Sequence, residues 1–236
     1  NTLIIITTVS CLFIFGFGVT DCIYAVGIDQ YWYNIAHPSK IYEEYYVDPA
    51  CVQYTFPEQK RNLVYIFMES METTNGGAFE ESLIPELNLL ANQNLTFSYG
   101  NKDNNGFYVP SMSGWTAAAM VGQTSGVPLN IPIDANGYVS EDSFLPGTYS
   151  IGQILEANGY QNELLIGSDG GFGGRKFYFK QHGNFNIVDY YTAIKNGWID
   201  KDYRAWWGYE DLKLFEFAKT ELTRLASVGQ PFNFNM

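Results

Sequence analysis

Glu69 and Thr116 are the residues whose surroundings ask for chemistry. Glu69 follows the apolar run NLVYIFM at 62–68, which is short enough for a buried parallel strand. Ligands of parallel sheets bind at the carboxyl ends of strands, and a carboxylate left there must find a partner because a buried unpaired charge is costly. It could cap the next helix, pair with Arg175 or bind a divalent cation, and the run alone leaves all three open. Thr116 sits in the stretch 106–129, a loop that stops at the start of a helix. Pro110, Ser111, Ser113 and Gly114 are turn and N-cap residues, whereas Ala117, Ala118, Ala119 and Met120 favour helix. A hydroxyl in that first turn meets amides without helical partners and the positive end of the dipole. It can therefore face an anion or a metal, or simply cap the helix.

The elements that must position these residues alternate. Strands are expected at 62–68, 95–98, 163–166, 185–188 and 232–236, and helices at 83–93, 116–123, 151–157, 175–181 and 209–227. In the last helix Leu212, Phe215, Ala218, Leu222 and Leu225 share one face, and Trp206, Trp207 and Asp211 are expected to anchor it. Strands separated by helices imply an α/β fold, a mostly parallel sheet with helices on both faces.

Before the first strand, 3–19 is apolar with no charge until Asp21, and 22–28 is largely apolar again. A spanning helix takes about 20 such residues, and a cleaved signal would need a basic leading segment and a small-residue cleavage site, both missing here. The reading is a transmembrane helix at 1–28, a Tyr- and Trp-rich juxtamembrane linker at 29–61 and an α/β domain at 62–236. The formal net charge of −12 argues against nucleic-acid binding, which rests on Lys and Arg. The three cysteines, Cys11, Cys22 and Cys51, have no zinc spacing, and with only His37 and His182 a histidine-rich metal site within this chain is excluded. The chain starts at Asn1 and stops in a strand-like run, so both ends read as cut and a fragment is expected.

The strings NLVYIFMES at 62–70, SGWTAAAMV at 113–121, GVPL at 126–129, IGQILEANGY at 151–160, GRK at 174–176, QHG at 181–183 and YRAWWG at 203–208 occur in this order. Together they resemble the catalytic domain of the lipoteichoic acid synthase and periplasmic phosphoglycerol transferase family, membrane-anchored members of the alkaline phosphatase and sulfatase superfamily. The likeness is nearest to the branch that decorates osmoregulated periplasmic glucans.

By that resemblance Glu69 is a ligand of Mn²⁺ or Mg²⁺, and Thr116 is the nucleophile, itself a metal ligand. A threonine hydroxyl needs such activation, and oxygen donors suit these cations. Arg175 follows the 168–174 loop and is the expected substrate-phosphate contact, its fork of donors matching phosphate. His182 is a candidate substrate contact, with a satisfied structural histidine as the simpler reading. The resemblance implies phosphatidylglycerol as donor, an envelope glycan or glycerolphosphate polymer as acceptor, and a catalytic domain on the outer side of a bacterial cell membrane. In the lipoteichoic acid synthases a tryptophan stands two residues before the substrate arginine; that position is Gly173 here. The family completes its metal site with an Asp-His pair further along than this chain extends, so the chain by itself is expected to be inactive. Two other functions compete: a sulfate or phosphate ester hydrolase of the same fold, and an inactive membrane-tethered binding domain. The Cys/Ser-x-Pro-x-Arg pattern of sulfatases is missing from 111–116, which counts against the first.

Overall fold

The computed structural model describes residues 2–38, 40–77, 81–98, 106, 108–110, 113–129 and 143–236, so the candidate cap Ser111 lies outside the described residues. Helix α1, Thr2–Ala25, contains the apolar stretch Ile4–Ala25, long enough to cross a membrane and with none of its residues buried against the rest of the protein. A second helix, α2 (Ile28–Ala36), and the short α3 (Ile41–Glu44) occupy part of the segment expected as a linker.

Four strands build the sheet: β1 (Leu63–Tyr65), β2 (Gln161–Leu165), β3 (Asn186–Val188) and β4 (Phe232–Asn235). Their order is β1-β4-β2-β3 and every pairing is parallel, as the alternating pattern implies. Between them lie α4 (Pro85–Gln93), α5 (Thr116–Ser125), α6 (Ile151–Ala157), α7 (Arg175–Gln181), α8 (Tyr190–Lys195) and α9 (Asp211–Val228). Helix α6 opens on a reciprocal cap, in which the Ser150 hydroxyl accepts from the Gln153 amide and the Gln153 side chain accepts from the Ser150 amide. The pleat divides the core in two. Leu164 faces Ala117, Ala118, Met120, Val121, Tyr178 and Phe179 on one side, while Leu165, Phe232 and Phe234 face Ala193, Phe217, Ala218 and Leu225 on the other.

Three expectations change. The 95–98 run is not a strand, and Leu95 and Phe97 stand exposed. Helix α8 was not foreseen; the Asp189 carboxylate caps it by accepting from the Thr192 amide at 3.0 Å. In α9 the buried stripe is Phe217, Ala218, Glu221 and Leu225, while Leu212 and Phe215 face solvent. Two stripes overlap in that sequence, and an ion cluster selects between them. Arg224 donates from Nε to Glu221 Oε2 at 2.6 Å, and its Nη2 pairs with Glu163 Oε2 in the middle of β2.

Glu163 is 1% exposed, and its Oε1 has no hydrogen-bond partner. Desolvation, aided by the neighbouring Glu221, pushes its carboxyl up to about 7, against the opposing pull of Asn186 and Arg224. The folded state therefore holds a proton that the unfolded chain releases near its ordinary value. This stabilisation is complete below that ordinary value and is lost as pH rises through about 7. Urea unfolding is expected to show stability falling over this window by up to ~1.4 kcal/mol per pH unit from this group. In Glu163→Gln, which cannot ionise, that slope flattens; an unchanged slope would contradict the assignment.

Candidate active site

The backbone hydrogen bonds of β1 run beyond its last strand residue, since Met236 N donates to Tyr65 O and Phe67 N donates to Met236 O. Glu69 thus emerges two residues past the last of these bonds, at the carboxyl edge of the sheet. Ser70, next to it, holds a left-handed φ of 59°, a conformation that a non-glycine residue adopts at a cost. On the neighbouring loop Trp115 is extended at the N-cap of α5 and gives no side-chain cap, so Thr116 is the first helical residue. Its hydroxyl does not cap the helix. It donates instead to the Glu69 carboxylate, with Oγ1 2.7 Å from Oε1 and 2.6 Å from Oε2. Both residues remain open to solvent. Residues 47 positions apart are brought together because each marks where an element meets the same sheet edge.

Arg175 begins α7 and is 7% exposed. Its Nε donates to Phe172 O at 3.0 Å, and its Nη2 donates to Ser168 Oγ at 3.1 Å and Asp169 O at 2.6 Å. Among the described residues it makes no ion pair with a carboxylate. Burial lowers its pKa, and the fields of Asp169, Glu69 and Asp189 oppose that shift, so Glu69 acts electrostatically on this guanidinium too. A buried cation held by neutral acceptors, with carboxylates only at longer range, is suited to an anionic ligand.

The loop that carries Arg175 is seated on the start of α5. Gly173 has φ +63°, and a Cβ there would lie 2.8 Å from Trp115 Cζ3 and 3.1 Å from Ala117 Cβ. The indole of Trp115 therefore fills the space that a side chain at 173 would need. Sequence reasoning missed this contact, and missed Ser168 as the residue that holds Arg175. Its position three residues past the end of β2 was the available signal for Ser168.

His182 does not join this group. It follows α7, at the end that leads into the start of β3, and both ring nitrogens are engaged: Nε2 with Phe144 O at 2.7 Å and Nδ1 with Gln153 Oε1 at 3.0 Å. Burial lowers its pKa, partly offset by the Phe144 carbonyl. That is the geometry of a structural histidine. Trp206, Trp207 and Asp211 are also not the anchors expected, since all three are exposed. Tyr209 secures the start of α9, buried and donating its hydroxyl to Ile166 O at 3.2 Å, beside a Tyr203 hydroxyl bond to Glu210 at 2.7 Å.

Two carboxylate oxygens and one hydroxyl form a hard donor set, the kind that suits Mn²⁺ or Mg²⁺. They supply part of a coordination sphere. Among the described residues no group of three or more His, Cys, Asp or Glu is arranged to hold a metal ion.

The parallel sheet and its helices have counterparts among solved structures. An alkaline phosphatase superfamily protein from Vibrio parahaemolyticus matches with a TM-score of 0.52 at 20% identity, covering 76% of this chain and 40% of that one. A lipoteichoic acid synthase from Listeria monocytogenes matches with a TM-score of 0.54 at 19% identity, covering 74% and 39%. The fold is that of the alkaline phosphatase superfamily. By sequence, the chain is 35% identical over 191 residues to phosphoglycerol transferase I of Escherichia coli O127:H6, and equally to that of Shigella boydii serotype 18. The chain is thus similar in sequence to these phosphoglycerol transferases and in fold to the alkaline phosphatase superfamily. The aligned part is 80% of this chain and spans 24%, about a quarter, of the length of those relatives. No protein-family model matches it.

Proposed function

We propose that the intact protein is a membrane-anchored phosphoglycerol transferase that works through Thr116, with 62–236 forming the first part of its catalytic domain. The observation that carries the reading is the Thr116 hydroxyl aimed at both oxygens of Glu69, together with a buried arginine that makes no carboxylate ion pair among the described residues. Arg175 would hold the phosphoryl oxygens of phosphatidylglycerol through its guanidinium. Thr116 Oγ1 would attack phosphorus and give up its proton, which in this structure is directed at the Glu69 carboxylate. The bond from phosphorus to the diacylglycerol oxygen breaks, and diacylglycerol leaves with a proton. A hydroxyl of an envelope glycan or glycerolphosphate polymer then takes phosphoglycerol from Thr116 and restores its hydroxyl. Glu69 and Thr116 would hold Mn²⁺ or Mg²⁺, which supplies Lewis-acid stabilisation of the charge that develops on the phosphoryl group.

The relatives' name supports the group transferred, and the apolar helix α1 suits a lipid donor and an anchor in a bacterial cell membrane, with catalysis on its outer side. Incubating the intact protein with lipid-labelled phosphatidylglycerol tests this. Labelled diacylglycerol that forms in step with phosphoglycerol on an acceptor is the expected result. Hydrolysis to free phosphate or sulfate from simple esters, with no diacylglycerol, would favour the hydrolase reading instead.

A further inference from the structure

The segment that sequence reasoning assigned to helix anchoring does something else. Ser168 and Gly208 form an antiparallel bridge, and a Cβ on Gly208 would stand 1.7 Å from Gly167 O, so only glycine allows this approach. The contact lays the 203–208 loop against the backbone that carries Ser168, whose hydroxyl accepts from Arg175. From there Trp207 reaches across to Phe172, their rings stacked with centroids 6.3 Å apart and planes at 27°. The Phe172 ring centroid lies 5.7 Å from Arg175 Cζ. Yet these side chains are left in water: Trp206 is 78% exposed, Trp207 68%, Phe172 43%, and Leu212 at the start of α9 84%.

We infer that Phe172, Trp207 and the adjoining Trp206 form a surface that inserts into the headgroup region of a phospholipid bilayer. Three observations choose this partner. Indole and phenyl rings partition to the level of a bilayer where lipid phosphates lie, and this cluster adjoins a buried guanidinium that has no carboxylate ion pair among the described residues. The same chain carries an unburied apolar helix long enough to span a bilayer. A net charge of −12 disfavours general electrostatic attraction to an anionic surface, which leaves apolar insertion as the main source of contact. The inference does not depend on transfer chemistry at Thr116; it concerns where this end of the domain sits.

The test places the intact protein in vesicles of phosphatidylcholine and phosphatidylglycerol, with and without brominated acyl chains. Trp32 lies in α2, close to the apolar helix, so Trp32→Phe is the reference protein. The contribution of the loop is its emission minus that of the same protein carrying Trp206→Ser and Trp207→Ser. That difference emission is expected to shift to the blue in vesicles, to lose most of its intensity to brominated lipid, and to be shielded from acrylamide. Emission that stays open to acrylamide and indifferent to bromine would overturn the inference, whether water or another protein meets the loop. Loss of cooperative melting on the double substitution would also overturn it, by making the pair packing residues. Repeating the measurement with Thr116→Ala separates the two accounts, because insertion should survive that change even if transfer is lost.

Discussion

Thr116→Ala in the intact protein is expected to abolish release of diacylglycerol from phosphatidylglycerol, a loss of at least about 10³-fold, the scale seen when a nucleophile is removed. The fold should survive. Thr116 fills no cap, and the change removes one hydroxyl from a solvent-open contact with Glu69, worth about 1 kcal/mol. Ala118 and Val121, which pack the helix into the core, are untouched. Thr116→Ser keeps an oxygen within reach of Glu69 and should retain part of the rate. Equal rates for wild type and Thr116→Ala, at matched melting temperature, would remove Thr116 from the mechanism.

Arg175→Lys carries the second large effect. Lysine preserves the charge but has one nitrogen where the guanidinium offers a planar fork, and here the fork bonds Phe172 O, Ser168 Oγ and Asp169 O at once. An ammonium can satisfy those acceptors or face a phosphate, and the geometry does not allow both. Affinity for a phosphate-bearing substrate is expected to fall by about 10²-fold, equivalent to ~2.7 kcal/mol. Stability should drop by about 1–3 kcal/mol through acceptors left unpaired. Substrate titration against KM, alongside a melting curve, separates the two. A variant that melts lower but keeps its KM would make Arg175 a loop brace only.

What could be read from the sequence was whatever is local. The runs before Glu69 and around 163–166, 185–188 and 232–236 all contribute strands to the sheet. Yet β1 covers only Leu63–Tyr65 and is not the buried strand expected, since it lies at the sheet edge with Val64 and Ile66 each 44% exposed, whereas β2 and β4 are buried with mixed residues. Glu69 and Thr116 stood out because each marks an element boundary, while the roles expected of them came from the resemblance. What stayed hidden depends on distant pairings. Arg224 lies off the expected apolar stripe of α9 and stays partly exposed, but its guanidinium reaches a buried glutamate 61 positions away, and no local pattern announces that pairing. Trp206 and Trp207 look like core residues by composition, yet the bridge between Ser168 and Gly208 leaves them outside. His182 offers the same lesson in reverse. Its motif matches the family, whereas its ring is spent on Phe144 and Gln153.

The central claim is that Thr116 carries the transferred group. Mass spectrometry of the intact protein, quenched in acid during turnover of phosphatidylglycerol with Mn²⁺ and no added acceptor, tests it directly. The account predicts that the peptide containing Thr116 gains the mass of one phosphoglyceryl group, and that the modification disappears when acceptor is supplied. Diacylglycerol formation with Thr116 unmodified and the adduct on another side chain would contradict it.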